Sequence, residues 1–336
     1  MATDMDNRFF LQSPRALAVA ALLLVSCGPG PVAPANPAKA PVAAGAAAAS
    51  TESPYEGEVS RFQGDPRIGV YVSTPWGFST SSYWIEGPDG LVIIDTQFTP
   101  SAAEELVNAA EATTGKKVKL ALVLHANPDK FNGTATLQKR GIKVVTSAQV
   151  AALIPGVHEK RVKAFYERYQ PDYPKDPPRL DSFGAATTEL EAAGLKITAH
   201  VLGAGCSEAH VVAEFDGHLF AGDLIANGTH SWLEIGRADE WLRRIEEMRA
   251  RKARFVHPGR GGSAGPELID AEEAYLLKLM ELVAAEKPAL PASKEAIERI
   301  KERIKEAFPD LDFAVFLNLG VPAEWARQAR ARAGGP

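Results

Sequence analysis

The chain of 336 residues holds two cysteines, Cys27 and Cys206. So few thiols exclude a framework of several disulfides, and they exclude any metal cluster held by four thiolates of one chain. Long hydrophobic runs are missing too: nowhere do 18 or more apolar residues follow one another, the length that a membrane-crossing helix needs. Nor is positive charge in excess, with 37 Lys and Arg against 42 Asp and Glu and a formal net charge of -5. Without a basic surplus to condense on phosphate backbones, nucleic acid is not an expected partner. What remains, 46% hydrophobic and 24% charged residues, is the make-up of a globular protein of one or two domains.

The first 60 residues carry an address rather than a core. Arg8 and Arg15 precede an apolar run, Ala16 to Val25, which is too short to cross a bilayer but has the length of a secretory h-region. It ends in Leu24-Val25-Ser26-Cys27. Small residues before a cysteine resemble the lipobox of bacterial lipoproteins, which implies cleavage before Cys27 and acylation of its thiol. From Gly28 to about Pro54 the chain is nearly all Ala, Pro, Gly and Ser and cannot bury a core, so it reads as a semi-extended tether. The expectation is a signal peptide over 1–27, a linker over 28–60, and an exported protein of the cell envelope, touching the membrane only through lipid on Cys27.

Beyond Gly69 strands and helices alternate. Val70-Tyr71-Val72, Ser82 to Ile85 and Leu91 to Asp95 are β-branched or aromatic runs, and Pro88-Asp89-Gly90 marks a turn between the last two. Helical spacing over Ala102–Thr113 precedes an apolar strand, Val118–Leu124, with His125 directly after it. Helix 134–140, strand 143–146 and helical spacing over 162–169 lead to a Pro-rich loop, 171–178. Strands over 195–201, 211–215 and 219–221 follow, with Asp216-Gly217 as a two-residue hairpin turn. The stretch 239–252 shows one apolar face, at 241, 242, 245 and 248. Strand 254–256 and helices near 267–285, 294–306 and 322–332 complete the chain. This order predicts an α/β fold of two sheets covered by helices on their outer faces.

Polar residues where a buried strand meets a loop point into crevices. His125-Ala126-Asn127-Pro128-Asp129-Lys130 follows one strand; His125, Asn127 and Asp129 at spacing two can converge on a metal, or the segment can simply cap the helix at 134. Gly203-Ala204-Gly205-Cys206 follows another, and Cys206 is either a thiolate ligand or a small buried side chain. Asp223, in Ala221-Gly222-Asp223, ends a third strand, and His257-Pro258-Gly259-Arg260-Gly261 follows a fourth. His210, His230 and His257 stand near these segments and can line a pocket, supply a substitute ligand, or serve the core.

In order and spacing these segments resemble the metallo-β-lactamase superfamily over about residues 66–275, and its zinc β-lactamase branch in particular. Ile94-Asp95-Thr96 matches the strand that ends in Asp; H-A-N-P-D-K and Asn132-Gly133 stand for H-x-H-x-D-H and its glycine pair. Gly203 to Cys206 stands for G-x-G-H, Ala221-Gly222-Asp223 for G-G-D, and Pro258-Gly259-Arg260-Gly261 for P-G-H-G. Arg140 to Lys143 and the 239–252 helix add to the likeness. The resemblance implies an αββα sandwich over 61–285, with extra helices over 286–336, and a metal site at the sheet edge between the halves.

Carried over residue by residue, the first metal position holds His125, Asn127 and Cys206 in place of three histidines. The second holds Asp129 and Asp223, with Arg260 where a histidine belongs. The cations Lys130 and Arg260 either replace the second metal's charge or bind an anionic group of the substrate. The ligand set thus points to one zinc ion, or another divalent metal, on His125, Cys206 and Asp223 with Asn127 or water. Asp129 would then be the base or water-orienting group, and Lys130 or Arg260 the oxyanion partner. The expected activity is hydrolysis of a carbonyl, ester or amide in a small molecule. Two alternatives stay open: a degenerate member that binds a small anion or an envelope protein, and metal-free thiol chemistry at Cys206 assisted by His210.

Overall fold

A computed structural model describes residues 56–334. The leader, Cys27 and most of the tether lie outside the described residues. The first sheet contains β1 (Glu58–Arg61), β2 (Ile68–Val72), β3 (Ser81–Gly87), β4 (Gly90–Ile94), β5 (Val118–Leu122), β6 (Lys143–Thr146) and β7 (Asp181–Ser182), in sequence order. Its first four strands are antiparallel and β4 to β7 parallel. Parallel pairing needs crossovers. They are supplied by α1 (Pro100–Thr114), the short α2 (Pro128–Phe131) and α3 (Thr134–Lys139), and α4 (Ala148–Tyr169). Thr99 and Ser147 cap α1 and α4 by accepting from Ala102 N and Val150 N. The sheet starts at Glu58, inside the stretch that reads as tether.

The second sheet runs β12-β11-β10-β9-β8, from β8 (Thr188–Ala192), β9 (Leu195–Leu202), β10 (His210–Phe215), β11 (His218–Ala226) and β12 (Phe255–Arg260). Asp216 and Gly217, at φ 46° and 81°, make the β10–β11 turn in the left-handed conformation that two-residue hairpins demand. Between β11 and β12, which are parallel, α5 (Ala238–Arg249) crosses over. The helices α6 (Glu267–Ala285), α7 (Lys294–Ala307) and α8 (Leu317–Arg332) follow.

One apolar cluster joins Trp84, Ile93 and Leu122 of the first sheet to Val211, Ala213 and Phe220 of the second, with Leu106 of α1 against the far side. Another lies beneath the outer helices, where Trp241, Leu279, Ile300 and Trp325 pack against Leu219 and Leu224 of β11. Burial on both faces of two sheets gives the expected sandwich. Extra C-terminal helices extend it by burying their apolar stripes.

Among the elements that differ from the sequence reading, three have a plain physical reason. Helix α4 begins at Ala148 and carries Pro155 inside it, so the proline that suggests a break costs one backbone bond instead of ending the helix. Strand β12 continues through Pro258, which an edge strand tolerates because no neighbour needs its missing N–H. β8, an edge strand half-exposed along its length, has no apolar run to announce it.

Candidate metal centre

The two sheets meet in a group of polar side chains around the ends of β5 and β11. Directly beyond β5, His125 bridges to His210, the first residue of β10, and Val211 N donates to Leu124 O at 2.6 Å. The imidazole rings stack with centroids 4.9 Å apart. Asp95, at the end of β4, fixes the approach: its Oδ1 accepts from Leu124 N at 2.9 Å. Burial pushes the Asp95 carboxyl up to about 7, against the pull of Lys130 and His125.

Cys206 comes from the loop between β9 and β10 and is buried. Its Sγ lies 3.8 Å from His125 Nδ1 and 3.8 Å from His210 Nε2. One donor atom from each of these three residues falls within 4.8 Å of the other two. Zinc bonds of about 2.3 Å to sulfur and about 2.0–2.1 Å to nitrogen imply tetrahedral S···N edges of about 3.5 Å. Cys206, His125 and His210 therefore fit one soft or borderline divalent metal in both donor type and spacing. Ser207 engages the same imidazoles: its N–H donates to His210 Nε2 at 3.0 Å, and its Oγ is 2.9 Å from His125 Nδ1. A metal would take these lone pairs over from Ser207.

Burial favours the neutral imidazole of His210 and lowers its pKa well below the usual value, whereas it raises that of the Cys206 thiol. Burial also opposes charge on His125, but Cys206 and Asp223 outweigh it and raise its pKa to about 10. His125 Nε2 is 3.5 Å from Asp223 Oδ2.

The second position is different in kind. Asp129 sits in α2, and Asp223 follows Gly222, whose φ of 55° turns β11 at that point. Arg260 at the end of β12 places Nη2 2.7 Å from Asp129 Oδ2 and Nη1 2.8 Å from Asp223 Oδ2. Lys130 Nζ lies 2.8 Å from Asp223 Oδ1, 3.1 Å from Asp129 Oδ2 and 3.3 Å from Gly259 O. Thr80 Oγ1 adds a hydrogen bond to Asp129 at 3.1 Å. Burial would raise both carboxyls, but Lys130 and Arg260 prevail and hold them low. A metal does not fit here, because both carboxylates already have cationic partners. Gly259 is obligatory in this cluster, since a Cβ there would stand 1.9 Å from Asp223 Oδ1.

The structure thus gathers His125, Asp129, Lys130, Cys206, Asp223 and Arg260, as the motif order implies, but divides them. His125 and Cys206 join His210 rather than Asp223, which is paired with the two cations. Lys130 and Arg260 face carboxylates of their own chain, and Asp129 is held by three partners. Asn127 lines a small cleft of about 100 Å³ beside Cys206, Ser207, Arg161 and Glu234. There Arg161 pairs with Glu234 and stacks over Trp232. His230 lies elsewhere, its Nδ1 3.1 Å from the Tyr275 hydroxyl of α6. His257 is also apart, in a buried chain: Ser263 Oγ to His257 Nδ1 is 2.8 Å, His257 Nε2 to His218 Nδ1 2.9 Å, and His218 Nε2 to Asp65 Oδ2 3.2 Å. Ser207, Thr80 and the supporting role of Asp95 have no signal in the sequence beyond their nearness to motif residues.

The comparisons agree with this architecture. The sequence profile of the "Metallo-beta-lactamase superfamily" matches residues 75–260. "Metallo-beta-lactamase type 2" of Bacillus cereus is 26% identical over 180 residues, which span 51% of this chain and 63% of that protein, so the match extends over less than two thirds of the relative. Among solved structures, a metallo-beta-lactamase from Pontibacter korlensis superposes with a TM-score of 0.53 at 19% identity, over 66% of this chain and 99% of that one. FIM-1 from Pseudomonas aeruginosa, in a mono-zinc form, gives 0.52 at 19% identity, over 66% and 95%. With the profile running unbroken from the loop before β3 to Arg260, through every strand end that builds the polar cluster, the chain belongs to the metallo-beta-lactamase superfamily.

Proposed function

We propose that this protein is a hydrolase that uses one divalent metal, zinc being the ion its donors suit best, and acts on a small molecule with an ester- or amide-type carbonyl. The observation that carries the reading is the convergence of Cys206, His125 and His210 within 4.8 Å beside the cleft. A metal held there supplies Lewis acidity, which polarises a carbonyl and acidifies water. The chain's own residues do the rest. Asp223 at 3.5 Å orients His125 through Nε2, leaving Nδ1 turned to Cys206. Asn127, on the cleft wall, is placed to hydrogen-bond a substrate carbonyl or its hydrate. Arg161, locked by Glu234 and Trp232, fixes the opposite wall.

The test is turnover of activated esters and β-lactam-type amides by protein loaded with one equivalent of zinc and by metal-stripped protein. The reading predicts activity in the loaded form that Cys206→Ser abolishes; equal rates in both forms would refute it. One observation favours a second reading, in which the protein binds a ligand without turnover: Ser207 already hydrogen-bonds the two ring nitrogens that would hold the metal, Nδ1 of His125 and Nε2 of His210. Tight binding of a small anion with no metal-dependent rate would select it.

For the rest of the chain, we propose an exported lipoprotein: signal peptide 1–27, acylated Cys27, a tether that ends before β1 at Glu58, a catalytic domain from there to 285 and a helical extension over 286–336. The apolar run before Cys27 and the Ala/Pro composition after it support the leader and the tether. Metabolic labelling with a palmitate analogue, lost in Cys27→Ala, checks it.

A further inference from the structure

We infer that the Arg260 guanidinium is a built-in replacement for the second divalent cation of this fold, so that the chain takes one metal ion at most. The inference concerns the second position alone and stands whether or not the first position is loaded.

Asp129 of α2 and Asp223 of β11 meet around the same two cations in the interior, 5% and 4% exposed. Two buried carboxylates repel unless a cation lies between them. The planar fork of Arg260 spans both, at 2.7 Å and 2.8 Å, as a metal shared by the two would. Lys130, wholly buried, closes the cluster from another side and directs its ammonium to three oxygens, those of Asp223, Asp129 and Gly259. Two positive and two negative charges leave the cluster neutral. A divalent ion would have to lie about 2.0–2.2 Å from the carboxylate oxygens, in space the guanidinium fills, and would add two charges to a site already balanced. The guanidinium is also pinned from behind: Arg260 Nε donates to Phe78 O at 3.2 Å, and its central carbon lies 5.4 Å from the centre of the Phe316 ring. Displacement by a metal would strand a buried cation.

Replacing the fork by an imidazole removes the resident charge and offers a neutral nitrogen donor to the same two carboxylates. Cobalt(II) titration of the full chain, followed by dialysis and elemental analysis, tests this in the wild type, Arg260→His and Arg260→Lys. The wild type should retain no more than one equivalent, Arg260→His one more than the wild type, and Arg260→Lys the same as the wild type. Two equivalents in the wild type would overturn the inference, as would a folded Arg260→His variant with no gain. Should that variant fail to fold, the wild-type stoichiometry decides. No metal in the wild type with one equivalent in Arg260→His upholds this inference and refutes the one-metal hydrolase; one equivalent in both does the reverse.

Discussion

Cys206 Sγ lies 3.8 Å from Nε2 of His210, four residues further along the chain. The proximity is not helical. It arises because the loop before β10 folds back over the strand's first residue, which itself bridges to His125 in the other sheet. A metal held by these three residues would couple the two sheets, so part of its binding energy would appear as folding stability. The neighbouring cluster of Asp129, Asp223, Lys130 and Arg260 holds the sheets together by charge instead.

That cluster makes Lys130 a stability residue. Its ammonium is fully buried between two carboxylates, and removing one partner of a buried charge network typically costs about 3–5 kcal/mol. Lys130→Met should lower unfolding free energy by that order. Urea unfolding measures it, and a loss of under about 1 kcal/mol, as an exposed ion pair would give, would mean the cluster is open to water.

Gly259→Ala is expected to be worse than its size suggests. The added methyl would meet Asp223 Oδ1 at 1.9 Å and the backbone of Gly222 and Asp223 at 2.7 Å, so β11 and β12 must separate. A loss of at least about 2 kcal/mol is expected by thermal unfolding, within the range for overpacked cores.

The acid side of the stability profile should depend on His257. Burial lowers its pKa to about 3 in the folded chain, and the nearby His218 adds to the effect. The unfolded state, with an ordinary value near 6.5, then binds the proton first. Stability from this group is complete above about pH 6.5 and falls as pH drops from there towards about 3, by an amount on the order of a few kcal/mol. His218, Phe62, Tyr83, Phe220 and Ser263 surround the ring, and Asp65 stands beyond His218. His257→Phe should flatten the slope of stability against pH between 6.5 and 4. An unchanged slope would place the acid loss elsewhere.

How far the sequence leads can be traced residue by residue. Strands 91–94 and 118–122 announce themselves as apolar runs, and the Asp216-Gly217 turn by its residue types, because those signals are local. β8 and the start of α4 do not, since an edge strand has no continuous apolar face and Pro155 masks the helix. The motif order finds His125, Cys206 and Asp223 because each follows an apolar run in the sequence, although Asp223 lies within β11 and the other two in loops beyond β5 and β9. It cannot show that Arg260 reaches both Asp129 and Asp223, or that His210 displaces Asp223 as the third donor. The first depends on where β12 ends, and the second on the isolated bridge between His125 and His210, which joins residues 85 positions apart. Nor does composition distinguish His230 and His257, both close to motifs, from the site they do not enter.

The central claim is that Cys206, His125 and His210 hold one metal ion. Elemental analysis of the full chain, purified without a histidine tag and compared with Cys206→Ser, tests it most directly. One equivalent of zinc or another divalent metal per chain, lost on that substitution, is the predicted result; a wild type that stays metal-free after supplementation, or a Cys206→Ser variant that keeps its metal, would contradict it.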